Sequence, residues 1–304
     1  MAWTEVSLNV TRDRVVDAEA ALLERGALAV TLLDAADVPV LEPAPGTAPL
    51  WPVVQLRGLF PLEVSRDTVL HALLELPGID RPDAVSWREV ADQAWERAWM
   101  DRFEPMKFGR SLWIVPSGMP APPDASAVIL RLDPGLAFGT GTHPTTALCL
   151  HWLDGHDCRN LNVLDYGCGS GVLGIAAALK GAKRVTCVDI DPQALQATAD
   201  NAARNHCSGR IHCRAPNLVT QPGAAEHVDV VLANILAGPL IELAAHLVAS
   251  LAPGGWIVLS GILEEQAEQV AAAYSDHCGT LQVRAQDGWV RLCGRMPGER
   301  GIPG

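Results

Sequence analysis

Val6, Leu8 and Val10 alternate with polar residues over Glu5 to Val10, which predicts a strand with one covered face. The period then changes. Val15, Val16, Ala18, Leu22 and Leu23 recur at helical spacing within Arg12 to Gly26, and Gly26 ends that helix. Strands are expected at Ala27 to Leu33 and at Val38 to Leu41, before a loop punctuated by Pro43, Pro45, Pro49 and Pro52. A strand at Val53 to Leu59, a helix at Asp67 to Leu76 and a strand near Val85 to Val90 follow. Strand-helix-strand occurring twice reads as a small α+β ferredoxin-like sandwich over residues 1–90, with no visible catalytic cluster. Ala91 to Phe103 reads as a helix whose Trp95 and Trp99, four apart, face a core. With Phe108 to Val115 as a leading strand, residues 91–115 form a helical linker to a second domain over 116–304.

From Asn162 the pattern becomes a regular alternation. Strands are predicted at 162–166, 184–190, 211–215, 228–235 and 256–262. Between most of them lie helical stretches, at Val172 to Lys180, Pro192 to Asn205, Pro239 to Leu251 and Glu264 to His277. This order implies a parallel α/β sheet with right-handed crossovers. The end differs: Leu281 to Gln286 and Trp289 to Arg295 flank Asp287-Gly288, a hairpin signal that makes the last strand antiparallel.

The candidate chemistry sits at the first of these strands. Leu161 to Gly174, LNVLDYGCGSGVLG, joins an apolar strand to a turn in which Gly167, Gly169 and Gly171 leave no side chains between backbone and ligand. Gly169, Gly171 and Gly174 fit the dinucleotide fingerprint, and Asp189 lies 20 residues after Gly169, where a ribose-binding acid is expected. Hydride transfer with NAD therefore stays open at this point. Two features favour S-adenosyl-L-methionine. Asp165, at the strand's carboxyl end, would repel a pyrophosphate and suits the ammonium of a methionine moiety. The antiparallel hairpin is the topology of a seven-stranded Rossmann-like methyltransferase rather than of a dinucleotide-binding sheet.

Composition narrows the partners. The chain of 304 residues has a net charge of −12, and residues 1–85 hold 6 Lys or Arg against 13 Asp or Glu, a balance of −7. Direct nucleic-acid binding is not expected of such a face, whereas a basic protein partner suits it. No apolar run reaches the length of a membrane span, and MAWTEVSLNV lacks the features of a signal peptide, so a cytoplasmic location is expected. The eight cysteines are scattered and expected to be reduced. His206, Cys207, His212 and Cys213 have zinc-ligand types but no C-x-x-C spacing, and no metal is expected.

Four segments in order, LDPGLAFGTGTHPTT from Leu132, VLDYGCGSGVLGIAA, DIDPQALQAT and ANILAGPL from Ala233, resemble the bacterial ribosomal protein L-eleven methyltransferase family, PrmA. The resemblance implies a protein-lysine N-methyltransferase that acts on lysine side-chain and N-terminal amines of large-subunit ribosomal protein L-eleven, free or before ribosome assembly. It also implies that Thr146, Gly167, Asp189 and Asn234 hold S-adenosyl-L-methionine, with Gly169 in the same turn. Asn234 would position the incoming amine through its side-chain carbonyl. Where nitrogen methyltransferases of planar amides carry Asn-Pro-Pro-aromatic, this chain has Asn-Ile-Leu-Ala, which lacks a stacking platform and points to an aliphatic amine. His143 is the nearest candidate base, or else a support for its loop. The loop Gly135 to Thr142, with three glycines, is expected to order over the cofactor.

Overall fold

In the first part of the chain the alternation read from the sequence is an alternation of burial. A computed structural model describes residues 3–35, 50–90, 104–133, 141, 143–216 and 227–298, and divides the chain into two compact units, Met1–Ala98 and Trp99–Gly304. In the first unit, β1 (Trp3–Thr11) buries Thr4, Val6, Leu8 and Val10, while β3 (Val53–Pro61) buries Val54, Leu56, Gly58 and Phe60. With β2 (Ala29–Asp34) and β4 (Val85–Val90) they form an antiparallel sheet in the order β2-β3-β1-β4. Helices α1 (Val15–Glu24) and α2 (Arg66–Leu74) supply Val15, Ala18, Leu22, Val69 and Leu73 to its single core. Gly58 lets α1 approach, since a Cβ there would lie 3.3 Å from Leu22 Cδ2. The first turn of the expected helix, Arg12–Arg14, is a tighter 3-10 turn, and Gly26 with φ +95° ends the helical path. The strand expected at 38–41 and the helix expected at 91–103 lie outside the described residues.

The second unit opens with a correction. Residues 108–115 are not one strand: β5 (Met106–Phe108) and β6 (Leu112–Val115) form an antiparallel hairpin, and β7 (Val128–Arg131), missed in the sequence, pairs in parallel with β6. The break is made by Gly109, at φ +72°, and by the Asp154 carboxylate, which accepts from Ser111 N at 3.0 Å, Ser111 Oγ at 2.7 Å and Leu112 N at 2.9 Å.

Seven strands form the main sheet, in the order β10-β9-β8-β11-β12-β14-β13. These are β8 (Asn162–Tyr166), β9 (Arg184–Val188), β10 (Ile211–Arg214), β11 (Val228–Asn234), β12 (Leu251–Leu263), β13 (Gln282–Gln286) and β14 (Trp289–Arg295). β8 pairs in parallel with β9 and β11, whereas β14 is antiparallel to β12 and β13. Both faces are covered. α3 (Pro144–Gly155), α4 (Val172–Leu179) and α5 (Pro192–Arg204) pack with Val163, Val230 and Leu232. α6 (Ala237–Glu242), α7 (Ala244–Ala249) and α8 (Ala267–Cys278) pack with Leu164, Val231 and Ala233. The helix expected over 239–251 is two short helices separated at Leu243, and β12 begins earlier than its pattern suggests. From β8 the chain runs outward through β9 and β10, then returns to β8's other side through β11, so the carboxyl end of β8 is a topological switch point.

Candidate active site

The turn after β8 is shaped almost wholly by hydrogen bonds to its backbone. Gly167 N and Cys168 N donate to Val188 O at 2.8 and 3.0 Å, fastening the turn to the end of β9. Asp189 accepts from Gly169 N at 2.9 Å and from Asp191 N at 3.0 Å. From α5, Thr198 Oγ1 donates to Gly169 O at 3.0 Å and Asn201 Nδ2 to Ser170 O at 2.9 Å. Gly167, Gly169 and Gly171 all have positive φ, between 54° and 78°, which β-carbon-bearing residues adopt only at a cost. A Cβ on Gly167 would overlap Ile235 Cγ2, so the turn and the segment after β11 touch.

Asp165 corrects the sequence reading. Its side chain does not stand in the crevice to meet an ammonium group: the residue is 1% exposed and accepts from Gly174 N, at the start of α4, at 2.8 Å. Burial pushes its carboxyl up to about 7, partly offset by the Gly174 hydrogen bond and reinforced by the Asp189 charge. Its position on β8 points it beneath the turn, so it braces that turn from inside.

On the other side of the switch point the structure joins two residues 88 apart in sequence: Asn234 Nδ2 donates to Thr146 Oγ1 at 3.2 Å. Thr146 is fully buried in the first turn of α3. Asn234 Oδ1 is buried and accepts no hydrogen bond from the described residues. An acceptor left in that state costs roughly 1–3 kcal/mol, so it is a place where an incoming donor is stabilised. Gly261, at φ +87°, packs so closely on the Ile235 backbone that a Cβ there would meet it, which fixes the residues following Asn234. Thr146, Gly167, Gly169, Asp189 and Asn234 thus belong to one run of contacts. The pair Thr146–Asn234 reaches Gly167 through Ile235, and Gly167 reaches Asp189 through Gly169.

His143 is the N-cap of α3, its Nδ1 accepting from Thr145 N at 3.3 Å and lying 2.8 Å from Thr145 Oγ1. Its ring meets Trp289 edge-on at 4.8 Å. Burial lowers its pKa, keeping it neutral near pH 7. The cap occupies Nδ1, which supports the loop. Of the expected covering loop, only Gly141 is described.

Three participants escaped the sequence reading. Thr198 and Asn201 fix the turn from α5. Ile190 is 86% exposed between Asp189 and Asp191. Its signals were its place within DIDPQALQAT and an isolated apolar residue between two acids at a strand end. Among the described residues no group of three or more His, Cys, Asp or Glu is placed to hold a metal, and all eight cysteines are free. No helix among them is long and apolar enough to cross a membrane.

This mixed sheet, with its antiparallel last hairpin and a glycine turn at the switch point, defines a Rossmann-like α/β methyltransferase fold. The crystal structure of a ribosomal protein L11 methylase from Lactobacillus delbrueckii subsp. bulgaricus superposes with a TM-score of 0.58 at 32% identity, covering 64% of this chain and all of that one. Residues 2–297 match the family model described as Ribosomal protein L11 methyltransferase (PrmA). Proteins of that name from Pseudomonas aeruginosa (strain LESB58) and Methylococcus capsulatus are 52% and 49% identical, over 97% and 96% of this chain and 99% and 98% of theirs. The chain belongs to the PrmA family.

Proposed function

We propose that the protein transfers methyl groups from S-adenosyl-L-methionine to lysine side-chain and N-terminal amines of the large-subunit ribosomal protein, acting in the cytoplasm on that protein free or before ribosome assembly. The observation that carries this reading is the buried Asn234 Oδ1, without a partner among the described residues, beside a turn whose three glycines carry no side chains. Gly167 and Gly169 would receive the cofactor against backbone, Asp189 would accept from ribose hydroxyls with its remaining lone pairs, and Thr146 would meet the methionine end. Ile190 offers an apolar surface beside Asp189. When bound, the cofactor supplies an electrophilic sulfonium methyl to a nitrogen lone pair in line with it.

Asn234 then acts on the amine. Its Oδ1 accepts an N–H, which aims the lone pair, and the bond from its Nδ2 to Thr146 holds that oxygen in place. Only the neutral amine attacks, and at pH 7 a lysine is less than about 0.1% neutral. The ammonium gives up its proton to water on entering, and desolvation among buried neighbours, not the amide acceptor itself, favours the neutral form there.

For the first unit we propose substrate recognition, within residues 1–90, followed by a linker over 91–115 and the methyltransferase domain over 116–304. Its sheet order and two one-sided helices fit a ferredoxin-like sandwich, and its acidic surface suits a basic protein rather than nucleic acid. The seven-stranded sheet corresponds to the S-adenosylmethionine-dependent class. Eight unpaired cysteines accord with a reducing compartment.

The test is the intact mass of the purified large-subunit protein after incubation with this enzyme and S-adenosyl-L-methionine. Stepwise methyl additions at amines are expected. An unchanged mass, with cofactor binding verified in the same sample, would reject the substrate.

A further inference from the structure

Arg291, on β14, is a buried cation without a counter-charge. It is 8% exposed, its Nη1 donates to Leu148 O at 3.2 Å, and its Nε is buried with no partner among the described residues. One carbonyl satisfies one of the five guanidinium donors. No described carboxylate forms an ion pair with it. Cys149 and Cys293, its nearest acidic groups, supply no charge, because burial pushes their thiols up, Cys149 to about 12. Directly opposite on β13 stands a second cation, Arg284, in register with Arg291. Like charges placed face to face on neighbouring strands destabilise the pair unless something negative lies between or beside them.

Both arginines line one hollow of about 440 Å³ between α3 and the β13–β14 hairpin, together with Gln282, His151, Trp152 and His156. None of Thr146, Gly167, Gly169, Asp189 or Asn234 borders it. The wall is preformed. His156 stacks on Trp152 at 3.9 Å with Nδ1 2.7 Å from Trp152 O, and Trp256 meets both rings edge-on, which fixes the aromatic side. The donors here are guanidinium, imidazole and amide groups, with an indole and the Leu148 side chain for apolar contact. A hollow of this volume is in the range of small-molecule sites and exceeds what a bare inorganic ion fills.

We propose that this hollow is a second binding site, separate from the methyl-transfer site, for a small organic anion whose phosphate or carboxylate pairs with Arg291 and Arg284 and whose apolar body lies against Trp152 and Leu148. A planar oxyanion accepts two parallel N–H bonds from a guanidinium, so Arg291 Nε and an Nη would be met together. This satisfies the orphaned Nε and neutralises the cross-strand pair in one step. The arrangement exists whatever the protein methylates, so it does not rest on the substrate proposed above.

The probes are phenyl phosphate, benzoate and inorganic phosphate, each titrated by calorimetry into the full-length protein with and without saturating S-adenosyl-L-methionine. Phenyl phosphate or benzoate is expected to bind one per chain in both conditions, with a shift of the Trp152 indole N–H resonance. Arg284→Gln, at an exposed position, should weaken binding at least tenfold and leave cofactor affinity unchanged. Arg291→Lys, which keeps the charge but loses the fork, should weaken it as much, with circular dichroism verifying the fold. Binding that survives Arg284→Gln undiminished would put the anion elsewhere and overturn the site. Inorganic phosphate binding as tightly as phenyl phosphate would assign the hollow to the free ion and overturn the organic body. No saturable binding of any probe at millimolar concentration would overturn the proposal entirely.

Discussion

β3 and β11 are both interior strands of their sheets, yet they bury their residues by different rules. Along β3 every second residue is buried, because helices cover one face of the first unit's sheet. Along β11, Val230 to Ala233 are buried in succession, because helices cover both faces. A strand enclosed on both sides has no room for polar chemistry along its length, so its functional groups gather where it ends. Asn234 and Asp189 stand at such ends. The unpartnered buried polar atoms, on Trp113, Asn234, His246 and Arg291, all fall in the second unit. The residues of the candidate site all lie in the second unit.

The sharpest break of that contrast is Asn234→Ala. Removing the oxygen proposed to aim the amine should lower kcat about a hundredfold or more, the loss typical of one positioned polar group, and cofactor affinity, to which Asn234 is also expected to contribute, should fall by much less. Single-turnover methylation alongside calorimetry checks this, and near-normal turnover would take the amine away from Asn234. Next in size, Gly167→Ala places a Cβ at φ +73° against Ile235. The left-handed backbone alone costs about 1–2 kcal/mol, so cofactor affinity should fall tenfold or more, while a surface glycine exchanged in the first unit leaves it unchanged.

Asp165→Asn separates a brace from a ligand. Burial raises the folded carboxyl above its unfolded value, to about 7, so the stability that comes from holding the proton is fully present below about pH 4 and is lost as pH rises through 7. Between about pH 5.5 and 8, wild-type stability to urea should fall by about 2 kcal/mol relative to the asparagine variant, which has no proton to lose. A difference that does not change with pH would mean that Asp165 is solvated and ionised, as the sequence suggested.

That misreading shows where the sequence stops being informative. Thr146 and Asn234 were named through the family resemblance, and each stands at the edge of a pattern: a helix opening at Pro144, an apolar run closing at Ala233. Asp165 ends a pattern too, but whether a strand-end acid turns outward or inward depends on the pleat, and two buried faces erase the alternation that would give it. The hairpin over 106–115 was hidden because Asp154, over forty residues away, makes the turn. Arg291 alternates correctly within its strand, and nothing local says that its neighbours provide no anion.

The smallest effect tests the first unit. Its acids outnumber its bases by 13 to 6 over residues 1–85, so the summed field should act on how a basic protein arrives rather than on how tightly one contact holds. Screening should therefore appear in KM. Raising ionic strength from about 0.05 to about 0.5 M shortens the reach of those charges from over 10 Å to under 5 Å, and KM for the protein substrate should rise about threefold with kcat unaltered. The S-adenosyl-L-methionine KM is the internal control, because the turn proposed to receive the cofactor is half-buried and salt screens its hydrogen bonds far less. If both constants move together, the salt acts on the second unit. If neither moves, the excess of 13 acids over 6 bases in residues 1–85 serves solubility alone, and recognition must come from shape.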